Sequence, residues 1–98
     1  MENNNSSNTD EKHEFMLFIA GMSPKSSLAI ENLHKLCDKH FHDNSIIQII
    51  DINNAPQFAV EYQIIAIPTL IRVRPTPRRT VLGDLSDNTK VLKILDIQ

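Results

Sequence analysis

Ninety-eight residues allow a single domain with one modest core. One cysteine excludes an internal disulfide and fits a reducing compartment. A net charge of −2 and a longest apolar run of only Phe15–Ala20 argue against a dedicated nucleic-acid binder, a membrane span of about 20 residues and a secretory leader, so a cytoplasmic protein is expected.

Residues 1–13, MENNNSSNTDEKH, carry no aliphatic side chain after the first methionine. Such a segment cannot bury enough apolar area to offset its ordering entropy, so a disordered polar tail is expected, followed by one domain over 14–98. Phe15 to Ala20 is apolar at every position, the pattern of a strand covered on both faces. Gly21 breaks it. Ser23-Pro24 then opens a helix: Ser23 is a capping residue and Pro24 suits the first helical position. Ala29, Ile30, Leu33, Leu36, Cys37 and Phe41 recur at steps of three and four and give the helix one apolar face. Asp43-Asn44 ends it.

Ile46–Ile52 is nearly all β-branched and reads as a second strand, parallel to the first through a right-handed crossover. Ala55-Pro56 starts a short helix with Phe58, Ala59 and Tyr62 on its inward side. Thr69–Arg74 alternates, with Thr69, Ile71 and Val73 on one face and Leu70, Arg72 and Arg74 on the other. Thr76-Pro77 turns the chain into an antiparallel strand at Thr80–Leu82, and Gly83-Asp84 ends that strand. Ser86 is expected to cap a last helix, with Asp87 in its first turn and Leu85, Val91, Leu92 and Leu95 facing inward. The order β-α-β-α-β-β-α is the minimal thioredoxin-like arrangement, an α/β fold. In that architecture a proline such as Pro68 enters the third strand through a cis bond.

A thioredoxin-like oxidoreductase needs a thiolate in the loop after its first strand. Here that loop is Gly21-Met-Ser-Pro-Lys-Ser26, without cysteine. Cys37 sits on the apolar helix face and reads as a small buried hydrophobe. His40 and His42 lie near it, but a fourth zinc ligand is missing, and histidines at a helix end suit the macrodipole. Asp84 and Asp87 fit capping better than paired-carboxylate catalysis. No catalytic residue, metal or cofactor is therefore expected. All four arginines, Arg72, Arg74, Arg78 and Arg79, fall within eight residues of one another. Such a cluster suits either protection of a sheet edge or a binding hot spot.

Phe18-Ile-Ala-Gly21, Ser23-Pro24, Ala29-Ile-Glu-Asn-Leu33, Ile50-Asp51, Ala66-Ile-Pro-Thr-Leu70, Arg72-Val73, Pro75-x-Pro77, Arg79 and Gly83-Asp-Leu-Ser-Asp87 together resemble the KaiB family over residues 15–96. The resemblance implies a non-enzymatic protein that binds a KaiC-like ATPase ring, with a KaiA-like protein or a sensor kinase as further partners. It also implies self-association to a dimer or tetramer, and roles in circadian rhythm or stress adaptation. It places the partner contacts at Gln63, Arg72, Arg74, Arg78 and Arg79. The family also switches between a thioredoxin-like state and an alternative ground-state fold, and Pro68, Gly83, Asp84, Ile94 and Asp96 are the expected fold-determining positions. The chain departs from the family pattern at Leu28, Ile67, the Arg78-Arg79 pair and Ile94, where glycine is usual. An acidic C-terminal extension like that of many members is not expected. Isoleucine in the last helix favours it by roughly 0.5 kcal/mol over glycine. The competing readings are a detached sensor domain related to a histidine kinase and a redox-inactive adaptor.

Overall fold

The computed structural model describes residues 11–42 and 44–97. Seven elements follow in order: β1 (His13–Ile19), α1 (Pro24–His40), β2 (Ser45–Asp51), α2 (Pro56–Glu61), β3 (Thr69–Arg74), β4 (Arg79–Leu82) and α3 (Asn88–Ile94). The strands form one sheet in the order β2-β1-β3-β4, with β1 parallel to β2 and β3 antiparallel to both β1 and β4. This is the expected β-α-β-α-β-β-α arrangement.

Its centre explains why Phe15–Ile19 is apolar throughout: β1 is buried between two layers. Phe15, Leu17 and Ile19 face α1 and α3, meeting Ala29, Leu33, Leu36, Cys37, Val91 and Leu95. Met16 and Phe18 face the other way, with Ile50 and Ile71, against Phe58 and Tyr62 beside α2. Each of the large side chains fully removed from water contributes about 1.5–3 kcal/mol. The same alternation splits β3, sending Leu70 to the first layer and Ile71 to the second.

Local signals act as read, with three corrections. Ser23 caps α1, its Oγ accepting from the Ser26 N–H at 3.1 Å. The cap of α3 is Asp87, not Ser86: the Asp87 carboxylate accepts from the Lys90 N–H at 3.1 Å. Ser86 instead gives its N–H and hydroxyl to Asp84 Oδ1, at 3.0 and 2.6 Å. Leu85 is buried in the core but precedes α3 rather than belonging to it. At the amino end, His13 belongs to β1 rather than to a tail: it pairs with Ser45 and its ring stacks on Phe41 at 3.9 Å between centroids. The rest of the expected tail, up to Asp10, and Asp43 of the expected helix stop lie outside the described residues.

Both short helices end in the same way. Gln63 and Asp96 take left-handed φ angles of 55° and 59°. Behind them, the N–H groups of Ile64 and Ile97 reach back to the carbonyls of Ala59 and Leu92, the Schellman arrangement. Ile94 is the last residue of α3 and packs half-buried against the core. The Ile67–Pro68, Arg74–Pro75 and Thr76–Pro77 peptide bonds are cis.

Candidate functional site

The loop after β1 positions no sulfur. Gly21, at φ +69°, donates its N–H to Asp51 Oδ1 at 3.1 Å, and Ser23 and Ser26 bond to each other across the helix start. Cys37 lies in the last turn of α1, only 2% exposed, and burial pushes its thiol pKa up, away from the thiolate form. His42 is exposed, beyond the helix. The loop and Cys37 thus supply a cap and a core side chain rather than an attacking group.

The arginines do not form one patch. Strand alternation divides them. Arg72 points into the α1–α3 layer and is 6% exposed. Its guanidinium donates to the Leu95 carbonyl at 2.6 Å and to the Pro77 carbonyl at 3.1 Å, tying the end of α3 to the β3–β4 turn. Burial is the main cause lowering its pKa, followed by Arg79, its cross-strand neighbour. Arg72 is therefore a structural strut in this fold, a correction to its expected place among the partner contacts. Arg79 is exposed beside it. Arg74, at the end of β3, pairs with Glu14 at 3.4 Å on the surface, a bridge of small energetic weight.

Arg78 faces the α2 layer. Its guanidinium lies 5.4 Å from the centre of the Tyr62 ring, within cation–π range. Gln63, the next residue, is exposed at the turn that ends α2. Gln63 borders a groove of about 390 Å³ between that turn and strands β3 and β4, lined by Tyr62, Ile64, Ile65, Thr80 and Leu82 among others, and Arg78 reaches it through Tyr62. Ile65 is 87% exposed and Val60 80%. The structure thus brings Gln63 and Arg78 together beside an apolar groove, sets Arg74 and Arg79 at other margins, and removes Arg72. The apolar half of this site escaped the sequence reading. Its only signal was that Ile64-Ile65-Ala66-Ile67 is apolar without a period, which says nothing about exposure.

Below β4, Gly83 (φ +103°) donates its N–H to the Pro68 carbonyl at 2.9 Å, joining the strand exit to the strand entry. A side chain there would meet open space, so backbone angle alone selects glycine. Asp84 follows: its carbonyl accepts from the Asn32 amide at 2.9 Å, and its hydrogen bonds from Ser86 hold its carboxyl below the usual range. Leu85 then adopts φ 67°, a left-handed angle that costs a non-glycine residue about 1–2 kcal/mol.

The chain is thus a thioredoxin-like domain with no cysteine in the loop after β1 and a mixed apolar and basic surface at one margin. The sequence profile of the KaiB domain matches residues 16–97. Circadian clock oscillator protein KaiB of Prochlorococcus marinus is 41% identical over 81 residues, covering 83% of this chain and 71% of that protein. Circadian clock protein KaiB3 of Synechocystis sp. is likewise 41% identical over 81 residues, covering 83% of this chain and 79% of that protein. Among solved structures, the N-terminal domain of Synechococcus elongatus SasA superposes with a TM-score of 0.72 at 21% identity, covering 90% of this chain and 87% of that domain. The thioredoxin Deadhead of Drosophila melanogaster gives 0.68 at 17%, covering 94% and 86%. At such identities the likeness is one of fold. The chain belongs to the KaiB family.

Proposed function

We propose that this protein is a non-enzymatic regulator that docks on a KaiC-type ATPase ring and modulates its signalling, in a clock or a stress-adaptation output. The observation that carries the reading is the groove beside Tyr62. There, the exposed apolar side chains of Ile65 and Leu82 line the groove with Gln63 and Tyr62, and Arg78 lies over the Tyr62 ring. An apolar centre with an arginine and polar groups at its margin is the composition of a binding hot spot. Arg74 and Arg79, at other margins of the sheet, add positive charge that speeds encounter with an acidic surface. The family's named members are clock proteins, which supports the same class of role. A KaiA-like protein or a sensor kinase is a further partner under this reading.

The left-handed angles at Leu85 and Asp96 support a role for the Gly83–Asp84 turn and the end of α3 in fold choice. Strain stored there would be released in an alternative arrangement that re-pairs the C-terminal segment. Pro68 and Ile94, at the entry of β3 and the end of α3, belong to the same set.

The test is calorimetric titration of the full chain into the KaiC-type ATPase of the same organism. Replacing Arg78 and Arg79 by Glu should weaken binding by about 1–3 kcal/mol and reduce its salt dependence. Ile65→Asp should weaken it at unchanged salt dependence. Unchanged affinity in both variants would assign the arginines to edge protection and remove the groove from the interface.

A further inference from the structure

Strand β4 closes the sheet on the side of the groove, and half of its backbone faces outward. The Gly83 N–H bonds to the Pro68 carbonyl at 2.9 Å, and the register runs unbroken from there, Leu82 opposite Thr69 through Arg79 opposite Arg72. Facing residues of an antiparallel ladder alternate between pairs that exchange hydrogen bonds and pairs that do not. Counting from Gly83, Val81 and Arg79 bond to Leu70 and Arg72. Thr80 and Leu82 turn their N–H and carbonyl groups away from the sheet, and both residues are exposed.

The side chains of the same two residues stand over the groove. Thr80 is opposite Ile71 and Leu82 opposite Thr69, so all four share the α2 side of the sheet. There they line the groove together with Tyr62 and Ile65. Val81 and Arg79 point to the other side, toward the α1–α3 layer, and Arg78, one residue earlier, lies over Tyr62. One short segment thus offers unpaired backbone, an apolar groove and two cations. We propose, resting on the reading of the groove as a docking surface, that β4 takes up an extended acidic peptide as an added antiparallel strand.

The register fixes what that peptide looks like. Its residues opposite Leu82 and Thr80 point into the groove and are apolar, with a neutral residue between them opposite Val81. The next two, toward its carboxyl end, meet Arg79 on one face and Arg78 on the other, and are acidic. Read from its amino end the occupant is apolar, neutral, apolar, acidic, acidic; a parallel strand would need the reverse order. A four-residue edge that carries an arginine ordinarily discourages pairing. Here the same charge acts as a selector, because it repels neutral or basic strands less well matched to it and admits one that brings carboxylates to Arg78 and Arg79.

The test is an amide NMR titration of the full chain with the peptide acetyl-Ile-Thr-Val-Glu-Glu-amide. Thr80 and Leu82 amides should shift downfield and exchange more slowly, while Val81, already bonded to Leu70, changes less. Methylating the peptide nitrogen of its valine, opposite Thr80, should abolish binding. Methylating that of its threonine, whose N–H points away from β4, should leave binding intact. The peptide of reversed sequence should bind more weakly. Arg79→Glu, with its fold checked by circular dichroism, should lower the affinity about tenfold, since it exchanges an attraction for a repulsion. No shift at Thr80 and Leu82 would overturn the proposal, as would equal binding of the two methylated peptides or of the reversed one. If the peptide fails while Ile65→Asp still weakens docking on the ATPase ring, the added strand is refuted and the groove keeps its proposed role. If the peptide binds as described while the ring does not, the added strand stands and the ring reading falls.

Discussion

Arg72→Ala is expected to be the most destabilising change among the arginines, although a cluster of surface arginines would ordinarily be read as dispensable. In the folded protein its guanidinium bonds two carbonyls, those of Leu95 and Pro77, at 2.6 and 3.1 Å, and the side chain is 6% exposed. Hydrogen bonds from a charged group contribute about 1.5–3 kcal/mol each, and truncation leaves the acceptors without their donor. Two effects offset part of the loss: alanine removes the cost of burying the cation, and it relieves the repulsion from Arg79. The net expectation is a loss of about 2–4 kcal/mol, which for a domain of this size lowers the melting temperature by roughly 10–30 °C. Urea denaturation followed by circular dichroism measures it. Arg72→Met, which retains most of the volume without donors, should lose most of the same stability. A loss below about 0.5 kcal/mol, the range of ordinary surface substitutions, would refute the strut and return Arg72 to the surface set.

Arg79→Gln removes a like charge opposite Arg72, so stability should rise by about 0.2–1 kcal/mol, with no gain in an Arg72→Ala background. Burial and, to a lesser degree, Arg72 hold the His13 imidazole below its ordinary 6.5. The unfolded chain therefore takes up that proton first, so the contribution is complete above pH about 6.5 and is lost as pH falls below it. His13→Gln should flatten the stability profile in that window, as measured by thermal melts across pH. Insulin reduction by dithiothreitol should run no faster with the protein than without it, because Cys37 is buried and its thiol pKa raised; an acceleration abolished by Cys37→Ser would contradict this. Asp84→Ala should weaken the Gly83–Ser86 turn, read as a lower melting temperature above the carboxyl's pKa and no difference once the pH falls below it.

The strands and long helix were legible because their signals are local. A run of apolar residues at Phe15–Ala20, alternation over Thr69–Arg74, and Ser23-Pro24 before a stripe of period 3.6 each report on one element alone. The site was less legible because its assignments are long-range. Leu70, Arg72 and Arg74 share a face by alternation, but nothing local says that Arg72 meets Leu95, 23 residues on. An arginine that satisfies two carbonyls inside a layer has the same local pattern as one that waits for a partner. His13 looked like tail because its neighbours are polar, yet stacking on Phe41 from the end of α1 brings it into β1. Asp87 and Ser86 are both good capping residues, and only the path of the Gly83–Ser86 turn decides between them. The apolar groove was hidden for the opposite reason: Ile64 and Ile65 look equally core-like in sequence, but one is half-buried and the other exposed.

The most direct test of the docking account is amide hydrogen exchange of the full chain with and without the KaiC-type ATPase ring. Protection should appear at Tyr62–Ile65 and Arg78–Leu82, around the groove, while the exposed face of α1 near Glu31 and Lys35 stays unchanged. Protection confined to the Gly21–Ser26 loop and α1, with the groove exchanging as in the free protein, would contradict it.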